Sequence, residues 1–198
     1  TDISTNTIHE LQSDGGVGPF RTGSGGANGL AVDPTGRLIA CEGANKRVSR
    51  SAATRGAATT AIAATHADAP LNAPNDVIVR ADGNVYFTDP NYSGEPNTQD
   101  QEAVYRISPS GALTRVARSF VKPNGIALSP DGASLYVVDN AEGKLFRGAL
   151  DAAGAAQAFV ELASVPGGDG VAVDDAGNLY VADNAGVDVF DPTGKKRG

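Results

Sequence analysis

KPNGIALSPDGASLYVVDN, Lys122 to Asn140, runs from a stiff turn into a short apolar strand, a Pro-Asp-Gly turn and a second apolar strand that ends in an acid. Three further stretches follow the same plan: ANGLAVDPTGRLIACE from Ala27, PNDVIVRADGNVYFTD from Pro74 and GDGVAVDDAGNLYVAD from Gly168. Aligned together, they place Asn28, Asn75, Asn124 and Asp169 in one column, and Gly36, Gly83, Gly132 and Gly177 in a second column eight residues on. Successive members of the first column lie 47, 49 and 45 residues apart. A repeat of that length with room for four short strands is the signature of a propeller blade, so the expected class is all-β, a β-propeller.

Composition agrees with this. The 198 residues include 25 glycines and 11 prolines, placed between apolar runs as tight turns require, and 40% hydrophobic residues, enough for a packed interior. A formal net charge of −7 argues against nucleic acid or an anionic membrane surface as partner and suits a cation or a neutral small molecule. No run of 18 apolar residues is present. The single cysteine, Cys41, cannot form an internal disulfide, and its place in LIAC reads as a buried thiol.

Taken in order, residues 1–22 read as the last two strands of a blade whose beginning is absent, TIHELQ and VGPFRT. Blades follow at 28–70, at 75–119 and at 124–164, and an incomplete one at 169–198 stops before a fourth strand. The whole of 1–198 is one domain of roughly four blades. Six blades of this period need roughly 280 residues, so the chain reads as a piece of a six-bladed ring or as a ring completed by something else. Between the second and third strands of the 75–119 blade lies a polar insertion, PNYSGEPNTQDQE, placed to shape a pocket at the channel mouth or to serve as a plain loop.

The first strand of each propeller blade lines the channel, so the first column should ring one mouth. Asn28, Asn75, Asn124 and Asp169 offer amide and carboxylate oxygens, the hard donors that a calcium-like ion takes. Asn before Gly is also a turn former, and that reading accounts for Asn28-Gly29 and Asn124-Gly125 without any metal. It accounts less well for Asp169-Gly170, or for the proline that precedes both Asn75 and Asn124.

APNDVIVRADGNVYFTDP, KPNGIALSPDGASLYVVD and GGDGVAVDDAGNLYVAD resemble the gluconolactonase and regucalcin-like family of six-bladed propellers, which includes luciferin-regenerating enzyme. The resemblance covers essentially the whole chain and rests on the ordered PND, PNG and DG triplets, each followed by a hairpin at fixed distance. It implies one divalent cation at the channel mouth, calcium first and zinc second, and hydrolysis of a small-molecule sugar lactone or related ester. By position it implies that Asn124 and Asp169 are metal ligands, that Asn75 contacts metal or substrate, and that Asp169 is the general acid/base. It gives Asn28 no firm role. It also implies a further glutamate ligand ahead of the residues present here, a place that neither Glu10 nor Glu42 occupies.

Asn28 and the acids ending two second strands, Glu42 and Asp89, together with Tyr92 on the insertion, are candidates to bind substrate hydroxyls; exposed strand ends are the alternative for the acids. His9 and His66 fall on outer strands without HExxH spacing, which argues against a zinc protease or a Ser-His-Asp hydrolase. GSGGANG at Gly23 precedes a strand and is no dinucleotide loop. A non-catalytic propeller of NHL-like repeats, binding a protein or glycan at its mouth, is the alternative function. It would tolerate any turn former at Asp169.

Overall fold

A computed structural model describes residues 1–116 and 119–197. Every regular element among them is a strand. β1 (Thr7–Leu11) and β2 (Val17–Thr22) form a two-stranded sheet. β3 (Ala27–Val32), β4 (Arg37–Glu42), β5 (Arg47–Ala52) and β6 (Thr60–Ala63) form the first four-stranded sheet, and the small hairpin β7 (Thr65–His66) with β8 (Ala69–Pro70) follows it. β9 (Val77–Val79), β10 (Val85–Asp89), β11 (Ala103–Ile107) and β12 (Leu113–Arg115) form the second. β13 (Pro123–Leu128), β14 (Ser134–Asp139), β15 (Lys144–Leu150) and β16 (Ala156–Ser164) form the third, and β17 (Val171–Val173), β18 (Leu179–Ala182) and β19 (Val187–Phe190) complete the order. All pairings are antiparallel and sequential, the up-and-down meander of a propeller blade.

The second glycine column explains the repeat of hairpins. Gly36, Gly83, Gly132 and Gly177 all have φ between 65° and 89°, a region costly for any residue with a Cβ. Each donates its N–H to the carbonyl three residues back, Gly36 to Asp33 and Gly132 to Ser129, both at 2.8 Å. The turn therefore fixes the register of the strands that carry the first column.

Alternation along the second strand of each blade sends neighbouring side chains to opposite faces. Phe87 on β10 packs with Ile39, Cys41 and Tyr105, while the next side chain back, Tyr86, packs with Ile126, Val137 and Phe146 on the other side. Val138 and Leu145 meet Leu179 and Val181 in the same manner, and Ile8 and Phe20 meet Leu30 and Leu38. The core is thus a series of layers between adjacent sheets rather than one central mass. Burial of both faces is why these strands read as near-continuous apolar runs such as LIAC and LYVV.

Three details refine the expectations. Residues 65–70 form their own hairpin, because Gln99 from the insertion reaches over it and its Nε2 donates to the carbonyls of His66, Ala69 and Pro70. After β19 the chain turns at Gly194, Arg197 N donates to Val189 O at 2.7 Å and Phe190 forms an isolated bridge with Lys196, but among the described residues this sheet has three strands. The expected strand LTRVAR runs into Ala117 and Arg118, which lie outside the described residues, as does Gly198.

Candidate metal and lactone site

The first column lies where successive sheets meet at their inner strands, and backbone contacts set its spacing. Gly29 N donates to Asn75 O at 2.7 Å and Gly125 N donates to Asp169 O at 3.0 Å. Both glycines are there because nothing larger fits. A Cβ on Gly29 would stand 2.5 Å from the Asp76 Cα, and one on Gly125 would stand 2.4 Å from the Asp169 carbonyl oxygen. Gly170, the next of this series, has open space instead.

The site's side chains differ in how they are held. Asn124 is buried, and its Nδ2 donates to the Tyr92 hydroxyl at 2.9 Å, which fixes the orientation of its amide. Asn28 and Asn75 are half-buried and Asp169 is exposed. Tyr92 lies on the insertion, half exposed, with the Lys122 ammonium 5.1 Å from its ring centre. Its phenol is pushed up to about 12, by burial first and then by the charges of Asp169, Glu102 and Asp139, despite the bond from Asn124. That coupling puts Tyr92, Asn124 and Asp169 in one electrostatic neighbourhood. Asp76 belongs to it as well. Burial raises its carboxyl pKa, against hydrogen bonds from the N–H groups of Ile126 and Val77, and the Asp169 charge pushes the same way.

Asp76 went unnoticed in the sequence, although a signal was present. It is the one member of its alignment position that is not glycine, Gly29, Gly125 and Gly170 being the others. Its Oδ2 accepts from Ile126 N at 3.0 Å, across to the next sheet.

The two strand-ending acids are buried rather than exposed. Glu42 is 1% exposed, accepting from Ser49 Oγ at 2.5 Å, Arg47 Nε at 2.7 Å and Asn45 Nδ2 at 2.8 Å, with Arg21 at 3.5 Å. Burial alone would raise its carboxyl pKa, but those donors outweigh burial and hold it below the usual range. Asp89 is fully buried, its two oxygens accepting from Asn72 N and Ala73 N, each at 2.8 Å. Asp139 does the same for Val121 N and Lys122 N, at 2.7 and 3.0 Å. These two aspartates therefore tie down the loops that lead into Asn75 and Asn124.

Burial pushes the Asp89 carboxyl up to about 7. Between about 4 and about 7 the folded chain then keeps a proton that the unfolded chain has released, so this residue makes stability fall as pH rises through that window and leaves it level above. Urea unfolding from pH 4.5 to 7.5 should show a downward slope in the wild type, up to about 1.4 kcal/mol per pH unit from this group. Asp89→Asn should flatten it. An unchanged slope would assign the titration to another group.

Among the described residues no cluster of three or more His, Cys, Asp or Glu is placed to hold a metal. The column is a different kind of donor set, one carboxylate with amide oxygens, and with Nδ2 of Asn124 committed to Tyr92 its Oδ1 is the free donor. Asp169 and Asp76 add negative charge to a mouth that already holds Glu102 and Asp139, which a cation would offset. Hard oxygen donors and several carboxylates facing the single Lys122 ammonium suit a divalent cation that keeps several waters.

Comparison with known proteins agrees with this architecture. The chain is 28% identical over 230 aligned residues to a gluconolactonase of Zymomonas mobilis subsp. mobilis, covering 98% of this chain and 63% of that relative's length. A solved gluconolactonase from Xanthomonas campestris superposes with a TM-score of 0.90 at 33% identity, over 99% of this chain and 69% of that one. A calcium-binding protein, regucalcin, from Agrobacterium tumefaciens shares the fold, with a TM-score of 0.81 at 22% identity, over 99% of this chain and 67% of that one. The model of the SMP-30/gluconolactonase/LRE-like region matches residues 1–198, and the chain belongs to that family.

Proposed function

We propose that this protein opens a sugar lactone or related ester by hydrolysis at the mouth ringed by Asn75, Asn124 and Asp169, with a divalent cation, calcium first and zinc second. The observation that carries the reading is that Asn124, its amide held by Tyr92, is followed by a glycine whose N–H reaches the Asp169 carbonyl, in a family whose relatives are gluconolactonases. The similar calcium-binding regucalcin supports the choice of calcium.

In this reading Asn75, Asn124 and Asp169 hold the cation with their side-chain oxygens. When bound, the cation polarises the lactone carbonyl and offsets the negative charge that grows on its oxygen. Asp169 accepts a proton from the attacking water as the new C–O bond forms. As the acyl–oxygen bond of the ring breaks, Asp169 returns that proton to the departing ring oxygen, so the product is a hydroxy acid. Tyr92 fixes the Asn124 amide, and with Asn28 it flanks the place where sugar hydroxyls would sit. Glu42 and Asp89, enclosed by their own partners, take no direct part.

The test is acid release from an aldonolactone, followed at constant pH before and after chelation. Turnover that chelator abolishes and added calcium or zinc restores is expected. Turnover indifferent to chelator would refute the metal's part, and no turnover from any lactone in folded protein would favour a non-catalytic propeller.

A further inference from the structure

The junction between the second and third four-stranded sheets is built differently from its neighbours, and the difference falls on Asn124. At the junctions before and after it, a glycine N–H reaches the carbonyl of the next column residue directly, Gly29 to Asn75 and Gly125 to Asp169. Asp76 stands where those glycines stand, and its side chain rules out so close an approach. The gap is filled by Thr88 on β10. Asp76 N donates to Thr88 Oγ1 at 3.0 Å, and that hydroxyl donates to Asn124 O at 2.7 Å.

The repeat itself shows that the hydroxyl is tied to the aspartate. The positions matching Thr88 are Cys41 on β4, Val138 on β14 and Ala182 on β18. Where the glycine contact is direct, no hydroxyl is present; where aspartate interrupts it, threonine appears. Thr88 is fully buried, so its hydroxyl has no water to turn to. Tyr92, four residues on in the same sheet's insertion, takes the amide of the same asparagine.

We infer that Thr88 is a positioning residue for the proposed site: its hydroxyl, oriented by the Asp76 N–H, sets Asn124 at the channel mouth from the backbone side while Tyr92 sets it from the side-chain side. The inference rests on the lactonase reading for its consequence in catalysis, but not for the placement of Asn124. Val in place of Thr88 keeps the shape and removes the relay, leaving a half-buried N–H and a buried carbonyl without that partner. Partners that orient a ligand residue typically change metal affinity or activity by about 10–100-fold when removed.

The experiment compares Thr88→Val, Thr88→Ser and Cys41→Val. Cys41 is the useful control, since it occupies the same place on its strand and its thiol touches Asp76 O at 3.5 Å, while the neighbouring Asn75 keeps the Gly29 contact. Three readouts are taken on folded protein: the side-chain amide resonances of Asn124, the calorimetric Kd for calcium alone, and kcat and KM for an aldonolactone. Thr88→Val should move the Asn124 resonances, weaken calcium binding and lower kcat, each of the last two by about 10-fold or more. Thr88→Ser should restore all three to within about threefold, and Cys41→Val should leave them unchanged. Unmoved Asn124 resonances in Thr88→Val would overturn the inference, as would equal losses in Cys41→Val. If the resonances move but the wild type neither binds cation nor opens lactones, the placement of Asn124 stands and the proposed function falls.

Discussion

Asp169→Asn is expected to lower kcat for lactone hydrolysis by about 10³-fold, with KM changed far less. The substitution keeps the size and the turn-forming capacity of the side chain and removes the one group in the column able to take a proton from water. General base catalysis alone is worth about 10²–10⁴-fold. The loss of a carboxylate from the donor set adds to it by weakening cation binding. Asp169 is exposed and, among the described residues, no side-chain hydrogen bond of its own holds the fold together, so the melting temperature should hardly move. A stable, folded variant with nearly full turnover would remove Asp169 from the mechanism. The measurement is steady-state kinetics on both proteins across a calcium series, with circular dichroism melts beside it.

The second large effect concerns stability. Glu42→Gln should lower the melting temperature by on the order of 10 °C, corresponding to about 3–5 kcal/mol in a chain of this size. Glu42 is the shared counter-charge of Arg47 at 2.7 Å and Arg21 at 3.5 Å, with side chains 29% and 10% exposed. The guanidinium nitrogens of Arg21 are buried and, among the described residues, find no hydrogen-bond acceptor. Removing the carboxylate charge strands one guanidinium outright and half-strands the other. Because the folded carboxyl sits below its ordinary range, this contribution is present at neutral pH and is lost as pH falls through the folded value. If Glu42 instead bound substrate, the substitution would raise KM and leave the melt unchanged. Thermal melts at pH 7 with lactone kinetics at 25 °C separate the two.

The fold was legible because its repeat is written at residue resolution. Four glycines eight residues from the column residue require a positive φ, and four apolar pairs of strands flank them. The hairpin at 65–70 was not legible, since it depends on Gln99, some thirty residues away, and no local pattern announces such a clasp. The burial of the strand-ending acids was not legible for a related reason. Sequence places Glu42, Asp89 and Asp139 at strand ends, where exposure is the ordinary expectation. Only the assembled sheets show that backbone N–H groups and arginines enclose them.

For the site, the column itself was visible, but its coupling was not. The alignment contained Asp76 and Thr88 as paired departures from Gly and from an apolar or thiol residue, yet nothing in one dimension says that the two touch. Their bond is a property of the junction between sheets. Tyr92 was placed near the site by its insertion, and its partner turned out to be the Asn124 amide.

The central claim, that Asn75, Asn124 and Asp169 hold one divalent cation on which lactone opening depends, is tested most directly by calorimetric titration of the metal-free protein with calcium. The account predicts one saturable site per chain, lost in Asp169→Asn and retained in Glu42→Gln at a temperature where that variant stays folded. Lactone turnover should rise in step with occupancy. Absence of binding in folded protein that still opens lactones would contradict the account, as would binding that survives Asp169→Asn intact.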